Sequence, residues 1–335
     1  MIESRRAKTV FGRGGVSNVL LAGSLALAAA LPLMAGAQGA LTKPIRVVVP
    51  FATGGNTDAV ARLLTAKISE QVGQPGVVEN KAGANGIVGS EFVAKSPADG
   101  STFLIVTPSH AINPLVTLKL PYDTLRDFTP ISLISRTPFV VAVTNELPVA
   151  NMRELIAYAK ANPTKLSYAS SGIGTGAHLT TELFKMAAGV QMLHVTYKGT
   201  GPALPDLISG RVSLIFDVEQ VLMPQIRAGK LRGFAITSGS RSPTAQEVPT
   251  MQEAGINLVT ASWVGMLAPG GLPADLATRM ANEVRRALNT PDMKEKMIGF
   301  GAEIVGSTPA EFDAYIRSEN TKWGDVAKHI GLKPE

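Results

Sequence analysis

"IRVVVPFATGGNTDAVARLL", Ile45–Leu64, is the stretch on which the fold turns. Ile45, Val47, Val48 and Val49 form a β-branched run, stopped by Pro50, that reads as a buried strand. Gly54 and Gly55 then supply a tight turn. Beyond it Val60, Leu63, Leu64 and Ile68 fall on one helical face, with Asn56 or Thr57 as cap and Asp58 in the first turn. Strand, glycine turn and helix start are also the parts of a phosphate-binding loop. A nucleotide site is therefore the first possibility that the rest of the chain has to answer.

Working outward, "GVVEN" reads as a strand, "GANGIVGSEFVAK" as a glycine-led helix and "STFLIVT" as a third strand. This β-α-β-α-β order predicts a mostly parallel sheet with right-handed helical crossovers. After a proline-punctuated middle, "NPLVTLKLPYDTLRDFTP", the alternation restarts at "PFVVAVT" and runs through "LRGFAIT". "ASWVGMLAP" then leaves this second unit, and three helical segments follow. The last opens with Thr308, Pro309 and Glu311, a capping box, and carries Phe312, Tyr315, Ile316 and Trp323 on one face. That face needs a partner, and the first unit is the expected one. The chain then crosses twice, near Arg136 to Val143 and near Ser262 to Leu267. The expectation is an α/β protein of two lobes, 42–138 plus 263–335 and 139–262, closing over a small molecule like a hinge.

Composition narrows the partners. The chain has 335 residues, 45% of them hydrophobic, enough for two medium cores. Of the formal charge of +6, Arg5, Arg6, Lys8 and Arg13 against Glu3 place +3 in the first 37 residues; the rest is scattered, which gives no basis for nucleic-acid binding. Those 37 residues read as an export signal, with a basic start, an apolar stretch from about Val19 to Met34, and the small residues Ala35-Gly36-Ala37. A spanning anchor is the competing reading, but the run is shorter than the ~20 residues a bilayer requires and is broken by Ser24 and Pro32. "SRRAK" also resembles the start of a twin-arginine signal, although Ala7 and Lys8 continue it poorly. Cleavage after Ala37 would release a protein into the periplasm, where nucleotides are scarce. With no cysteine in the chain, disulfides, thiolate metal sites and cysteine nucleophiles are excluded.

The nucleotide possibility weakens further on its missing parts. "GIGTGA", Gly172 to Ala177, fits G-x-G-x-x-G/A, but no acid follows about 20 residues on to hold a ribose. The opening loop lacks the lysine and hydroxyl of a P-loop. Neither G-x-S-x-G nor H-E-x-x-H occurs, and His110, His178, His194 and His329 have no metal-ligand spacing, so no enzyme, metal or cofactor is expected. Of the four, only His178, one turn into its helix, is placed to touch a ligand. What remains is three glycine-rich helix starts, "FATGGNTD", "NKAGANGIVG" and "SSGIGTGAH". Free N–H groups and the helix dipole draw an anion to such places, and a carboxylate suits them. Glycine serving only tight turns is the competing account of any one loop.

"IRVVVPFATGGNTDAVAR", "VVENKAGANGIVGSEFVAKSPADGSTFLIV", "HAINPLVTLKLPYDTLRDFTPIS", "LSYASSGIGTGAHLTTELF", "VTYKGTGPALPDLISGRVSLIFD", "IRAGKLRGFAITSGSRSP" and "VPTMQEAGI" together resemble a Bug/TctC receptor, the solute-binding component of tripartite tricarboxylate transporters. The resemblance runs in order from about Ile45 almost to the C-terminus. It implies a two-lobed type II periplasmic binding fold, a small organic carboxylate as ligand, delivery to a membrane permease and a monomer; a module that signals to a sensor protein is the alternative.

In such receptors the loop matching Phe51, Thr53, Gly54, Gly55 and Asp58, and the loop matching Ala82, Gly83, Ala84, Asn85 and Gly86, hold one end of the ligand. The segment matching Ser170, Ser171, Gly174, Thr175 and His178 grips a carboxylate through hydroxyls and N–H groups. Ser109 joins the expected set. Asp217 matches a ligand-facing acceptor, or else caps the helix that follows; Tyr197 and Lys198 head a block near the cleft, with a rim charge as the other reading of Lys198. The sequence also departs from the family pattern. Ala52 and Thr53 stand where prolines are usual, which puts a hydroxyl beside the pocket, and Gly201 alters a helix start. Glu219 replaces a small polar residue; facing the cleft it would disfavour a dianion, and facing solvent it would do nothing.

Overall fold

The computed structural model describes residues 41–334 together with Lys8; the expected export signal and the bond after Ala37 lie outside the described residues. In chain order the elements begin β1 (Ile45–Val49), α1 (Asn56–Val72), β2 (Gly76–Asn80), α2 (Ile87–Ala94), β3 (Thr102–Val106), α3 (Ser109–Val116) and the long β4 (Phe128–Thr144). There follow α4 (Met152–Ala161), β5 (Ser167–Ser170), α5 (Gly176–Ala188), β6 (Leu193–Thr196), α6 (Thr200–Ile208), β7 (Leu214–Val218), α7 (Glu219–Arg227) and β8 (Leu231–Ile236). β9 (Ala261–Pro269), α8 (Ala274–Leu288), α9 (Pro291–Gly299), β10 (Glu303–Ile304) and α10 (Pro309–His329) complete it.

The strands run in the order β2-β1-β3-β9-β4-β7-β5-β6, with β8 and β10 also on β4. The strands read from the sequence as parallel are so: β1 pairs with β2 and β3, and β5 with β6 and β7. The sheet as a whole is mixed where a mostly parallel one was expected, because the two long crossing strands run against their neighbours. β9 is antiparallel to β3 and β4, and β4 is antiparallel to β7 and β8. β4 thereby serves both halves: Phe128 to Pro138 pairs with β9, and Phe139 to Val143 with β7.

Each half has its own core. Val47, Val49, Leu64, Phe103, Ile105, Met280 and Val284 close the first, and Phe139, Val141, Tyr168, Phe184 and Phe216 the second. α10 is placed as its sequence face demands. Phe312 and Ile316 pack with Trp263 in the first half, and Trp323 and Val326 with Ile112 and Leu179. Gly265 makes room for it, since a Cβ there would lie 2.1 Å from Cζ of Phe312. Glu319 Oε2 accepts from both indoles, Trp263 Nε1 at 3.0 Å and Trp323 Nε1 at 2.9 Å, so the buried carboxylate orients two anchors. The Thr308 capping box is present. Two local readings are corrected. α1 is capped by Gly55 with no side-chain bond, in place of Asn56 or Thr57, and α3 runs into the start of the proline-punctuated middle, with Pro114 inside it.

Candidate ligand-binding site

In an α/β sheet the carboxyl ends of the strands are open to ligands, and here four such ends open onto one cavity. β1 leads into the loop of Phe51, β3 into Thr107–Ser109, β5 into Ser171–Thr175, and β7 ends at Asp217 and Val218. The cavity, ≈ 220 Å³, is lined by Phe51, Thr57, Asn85, Thr107, Pro108, Ser109, Phe139, Ser171, Thr175, Gly176, Ala177, Asp217, Val218 and Ser262. Phe139 and Ser262 come from β4 and β9, so the two crossing strands supply part of its wall.

Its electrostatics come from backbone and not from cations. The first turns or caps of α1, α3, α5 and α7 contribute Thr57, Ser109, Gly176 and Val218, and a helix start carries roughly half a positive charge. At α5, Thr175 Oγ1 accepts the His178 N–H at 3.3 Å and donates to Gly172 O at 2.8 Å. The Gly176 and Ala177 N–H groups have no acceptor among the described residues. Hydroxyls of Thr57, Thr107, Ser109, Ser171 and Ser262 add donors, and Asp217 is the only ionisable side chain in the lining. Asp217 Oδ1 accepts the Val218 N–H at 2.7 Å and Oδ2 accepts from Thr200 Oγ1. Burial raises its pKa above the ordinary carboxylate value, and Val218, not Asp217, is the α7 cap. Such a set can hold an anion such as a carboxylate by hydrogen bonds and dipoles.

Of the residues expected to touch ligand, Phe51, Asn85, Ser109, Ser171, Thr175 and Asp217 come together here. Others are placed behind the wall. Asp58 is buried and fully engaged: Oδ2 accepts from Gly54 N and from Arg62 Nε, both at 3.0 Å, and Oδ1 from Asn80 Nδ2 at 2.9 Å. Asn80 Nδ2 also donates to Phe51 O at 3.1 Å, so Asp58 holds the first loop in shape. The Arg62 hydrogen bond, foremost, takes the Asp58 pKa down to about 2. Thr53 is exposed and outside the lining, as are Gly54 and Gly55; Gly54 turns the loop at φ +91°. Ala82, Gly83 and Ala84 are exposed and Gly86 is buried, leaving Asn85 as the lining member of that loop. Asn85 Nδ2 donates to Asn113 Oδ1 at 3.0 Å, which fixes it.

Ser170 is sealed, with its Oγ 2.6 Å from His194 Nε2. Gly174 gives its N–H to His178 Nδ1 at 3.2 Å, and Tyr197 gives its hydroxyl to Asp206 at 2.8 Å. His178 lines a different cavity, stacked on His194 with ring centres 4.3 Å apart. Lys198 is exposed, outside the lining. Glu219 faces neither cleft nor solvent; it is 3% exposed, accepts from Thr244 Oγ1 and packs against Gly301. Sequence reading missed Thr57, Thr107, Pro108, Phe139, Gly176, Ala177, Val218 and Ser262 as lining; position at a strand's carboxyl end was the available signal for all but Phe139 and Ser262.

Comparison with known proteins agrees with this geometry. The model of the family described as "Tripartite tricarboxylate transporter family receptor" matches residues 60–332. Protein BugT of Bordetella pertussis is 35% identical over 294 residues, 87% of this chain and 90% of that protein. Among solved structures, R. palustris Rpa4515 with adipate has a TM-score of 0.78 and 40% identity, over 88% of this chain and 99% of that one. MatC from Rhodopseudomonas palustris with bound malate has a TM-score of 0.72 and 31% identity, over 85% and 99%. With helix starts gathered around a cation-free cleft and a match of this extent, the chain belongs to the tripartite tricarboxylate transporter receptors, a family of two-lobed α/β solute-binding proteins and not of enzymes.

Proposed function

We propose that this protein is a periplasmic receptor that binds a small organic carboxylate in the 220 Å³ cleft and hands it to a membrane permease. The observation that carries the reading is the convergence of four helix starts and five hydroxyl-bearing residues besides the cap Thr175 on a cavity without lysine or arginine. Adipate and malate in the two related receptors support the ligand class. The lobes are 42–138 plus 263–335 and 139–262, hinged where β4 and β9 pair, at Thr137 with Ser262. The mature, monomeric form begins after Ala37, and among the described residues no helix is long and apolar enough to cross a membrane.

Thermal unfolding of the mature chain with adipate, malate, monocarboxylates and amino acids tests this. A ligand at 100 times its Kd adds about 2.7 kcal/mol and raises Tm by several degrees. No shift across the panel, with flat calorimetry, would remove the receptor reading. Permease delivery is read separately, by ligand-dependent capture of the permease subunits from membranes.

A further inference from the structure

The larger cavity of the molecule is not the cleft. It measures ≈ 730 Å³ and lies between α5, the Ile173 turn, β6 and the segment that follows α10. Its titratable groups are His178, Glu182, Lys185, His194, His329 and Lys333. Glu182 is already committed, accepting from Tyr168 and from Lys185 Nζ at 2.8 Å. Lys333, exposed at the rim, forms no ion pair among the described residues. His178 is 4% exposed, and because its Nδ1 accepts the Gly174 N–H, its neutral ring carries the proton on Nε2. That Nε2–H has no partner among the described residues, and it is not one of the sealed polar atoms. A nearly buried donor therefore faces the cavity. Around it Val116, Val190, Ile330 and Leu332 give apolar wall, and Ile173 and Met186 stay 54% and 36% exposed.

We infer that this cavity is a second ligand site, for a small carboxylate with an apolar body. The carboxylate takes the His178 Nε2–H and the Lys333 ammonium, and the body covers Ile173 and Met186. The Lys333 ammonium and the His178 donor suit a monoanion, and Val116, Ile173, Val190, Ile330 and Leu332 give its apolar body contacts that an inorganic anion cannot use. The site is separate from the cleft, so it stands or falls independently of the receptor reading.

The test uses benzoate as probe and inorganic phosphate as comparison, read on the imidazole ¹⁵N resonances of the mature protein. Benzoate should shift His178 and His194 saturably below about 10 mM, while phosphate should not. Met186→Trp, which fills the cavity, should weaken benzoate at least tenfold, and Thr57→Phe, which fills the cleft from α1, should leave it unchanged. Lys333→Glu, at an exposed position, should weaken it as well and guards against misfolding of the tryptophan variant. Absence of a saturable shift, loss of the shift in Thr57→Phe alone, or equal binding of phosphate would each overturn the inference.

Discussion

Asp58 places a negative charge within one helical turn of an anion site, and its hydrogen bonds explain how the site tolerates it. Arg62, Asn80 and the Gly54 N–H occupy its two oxygens, so the charge is neutralised where it sits and is spent on shaping the loop that carries Phe51. Asp58→Asn keeps one acceptor oxygen but turns the other into an NH2 that faces either the Asn80 donor or the Gly54 and Arg62 donors. We expect a loss of about 1–3 kcal/mol in urea unfolding, on the scale of hydrogen bonds to charged groups, together with at least tenfold weaker binding of the cleft ligand; parent-like stability and affinity would refute the role. The acid dependence has a defined sign. Since the folded pKa of about 2 lies below 3.8, the contribution of Asp58 is complete above 3.8 and is lost as pH falls through about 2. From sequence the residue type and its position in the first turn were legible. Its partner Asn80 is 22 residues away on β2, so its work as a support and not a ligand contact was not.

Among the elements, two threonine caps separate stability from binding. Thr175 caps α5 at the cleft and Thr308 caps α10 far along the chain, each accepting the N–H three residues on. Alanine at either should cost ~1 kcal/mol by chemical denaturation. Only Thr175→Ala should also weaken the cleft ligand, because only Thr175 lines the cavity; equal binding effects from both would indicate that the loss follows from stability alone. The Thr308 cap was legible in sequence because its capping box fits within four residues, whereas Thr175 was read as a ligand contact and not as a cap. The direction in which α5 presents its first turn was not legible. Thr175, Gly176 and Ala177 meet the cleft while His178, 100° further round, meets the other cavity. α3 was missed because Pro114 interrupts its pattern. Ser262 reaches the cleft through the β4–β9 pairing and Phe139 through the β4–β7 pairing, contacts between distant parts of the chain that no local pattern encodes. The same pairing region carries a sharp packing test. Gly265→Ala puts a methyl 2.1 Å from Phe312, which must swing off Trp263 to make room, and overpacking of this kind costs about 1–3 kcal/mol. A Tm equal to the parent's would mean that α10 rides on β9 more loosely than the contact implies.

For the whole molecule, the buried histidines set how folding responds to mild acid. His110 donates from Nε2 to Thr124 O at 3.2 Å and stacks against Tyr122, while its Nδ1 is sealed without an acceptor. Protonation would bury a charge and an unmatched donor, and burial takes its pKa from 6.5 down to about 4. His178 is also lowered to about 4, by burial first and by His194 next, and its Nδ1 is already accepting from Gly174. His194 is lowered in the same direction. For His110 and His178 the unfolded chain takes up a proton between 6.5 and about 4 that the folded chain refuses, so stability is complete above 6.5 and falls as pH drops through this window. Asp217 works oppositely, because its raised pKa favours the fold on acidification, and it offsets part of the loss above its ordinary carboxylate value. Each fully coupled histidine contributes a slope of about 1.4 kcal/mol per pH unit within the window. Urea unfolding of the ligand-free mature chain between neutral pH and 4 should therefore steepen by about twice that figure, from His110 and His178 together. His110→Phe keeps the aromatic packing against Tyr122 and Phe128 but cannot titrate. Its curve should be flatter by one histidine's slope, even if its stability at neutral pH is lower for want of the bond to Thr124 O. A parental slope in that variant would mean that the acid response resides in other groups.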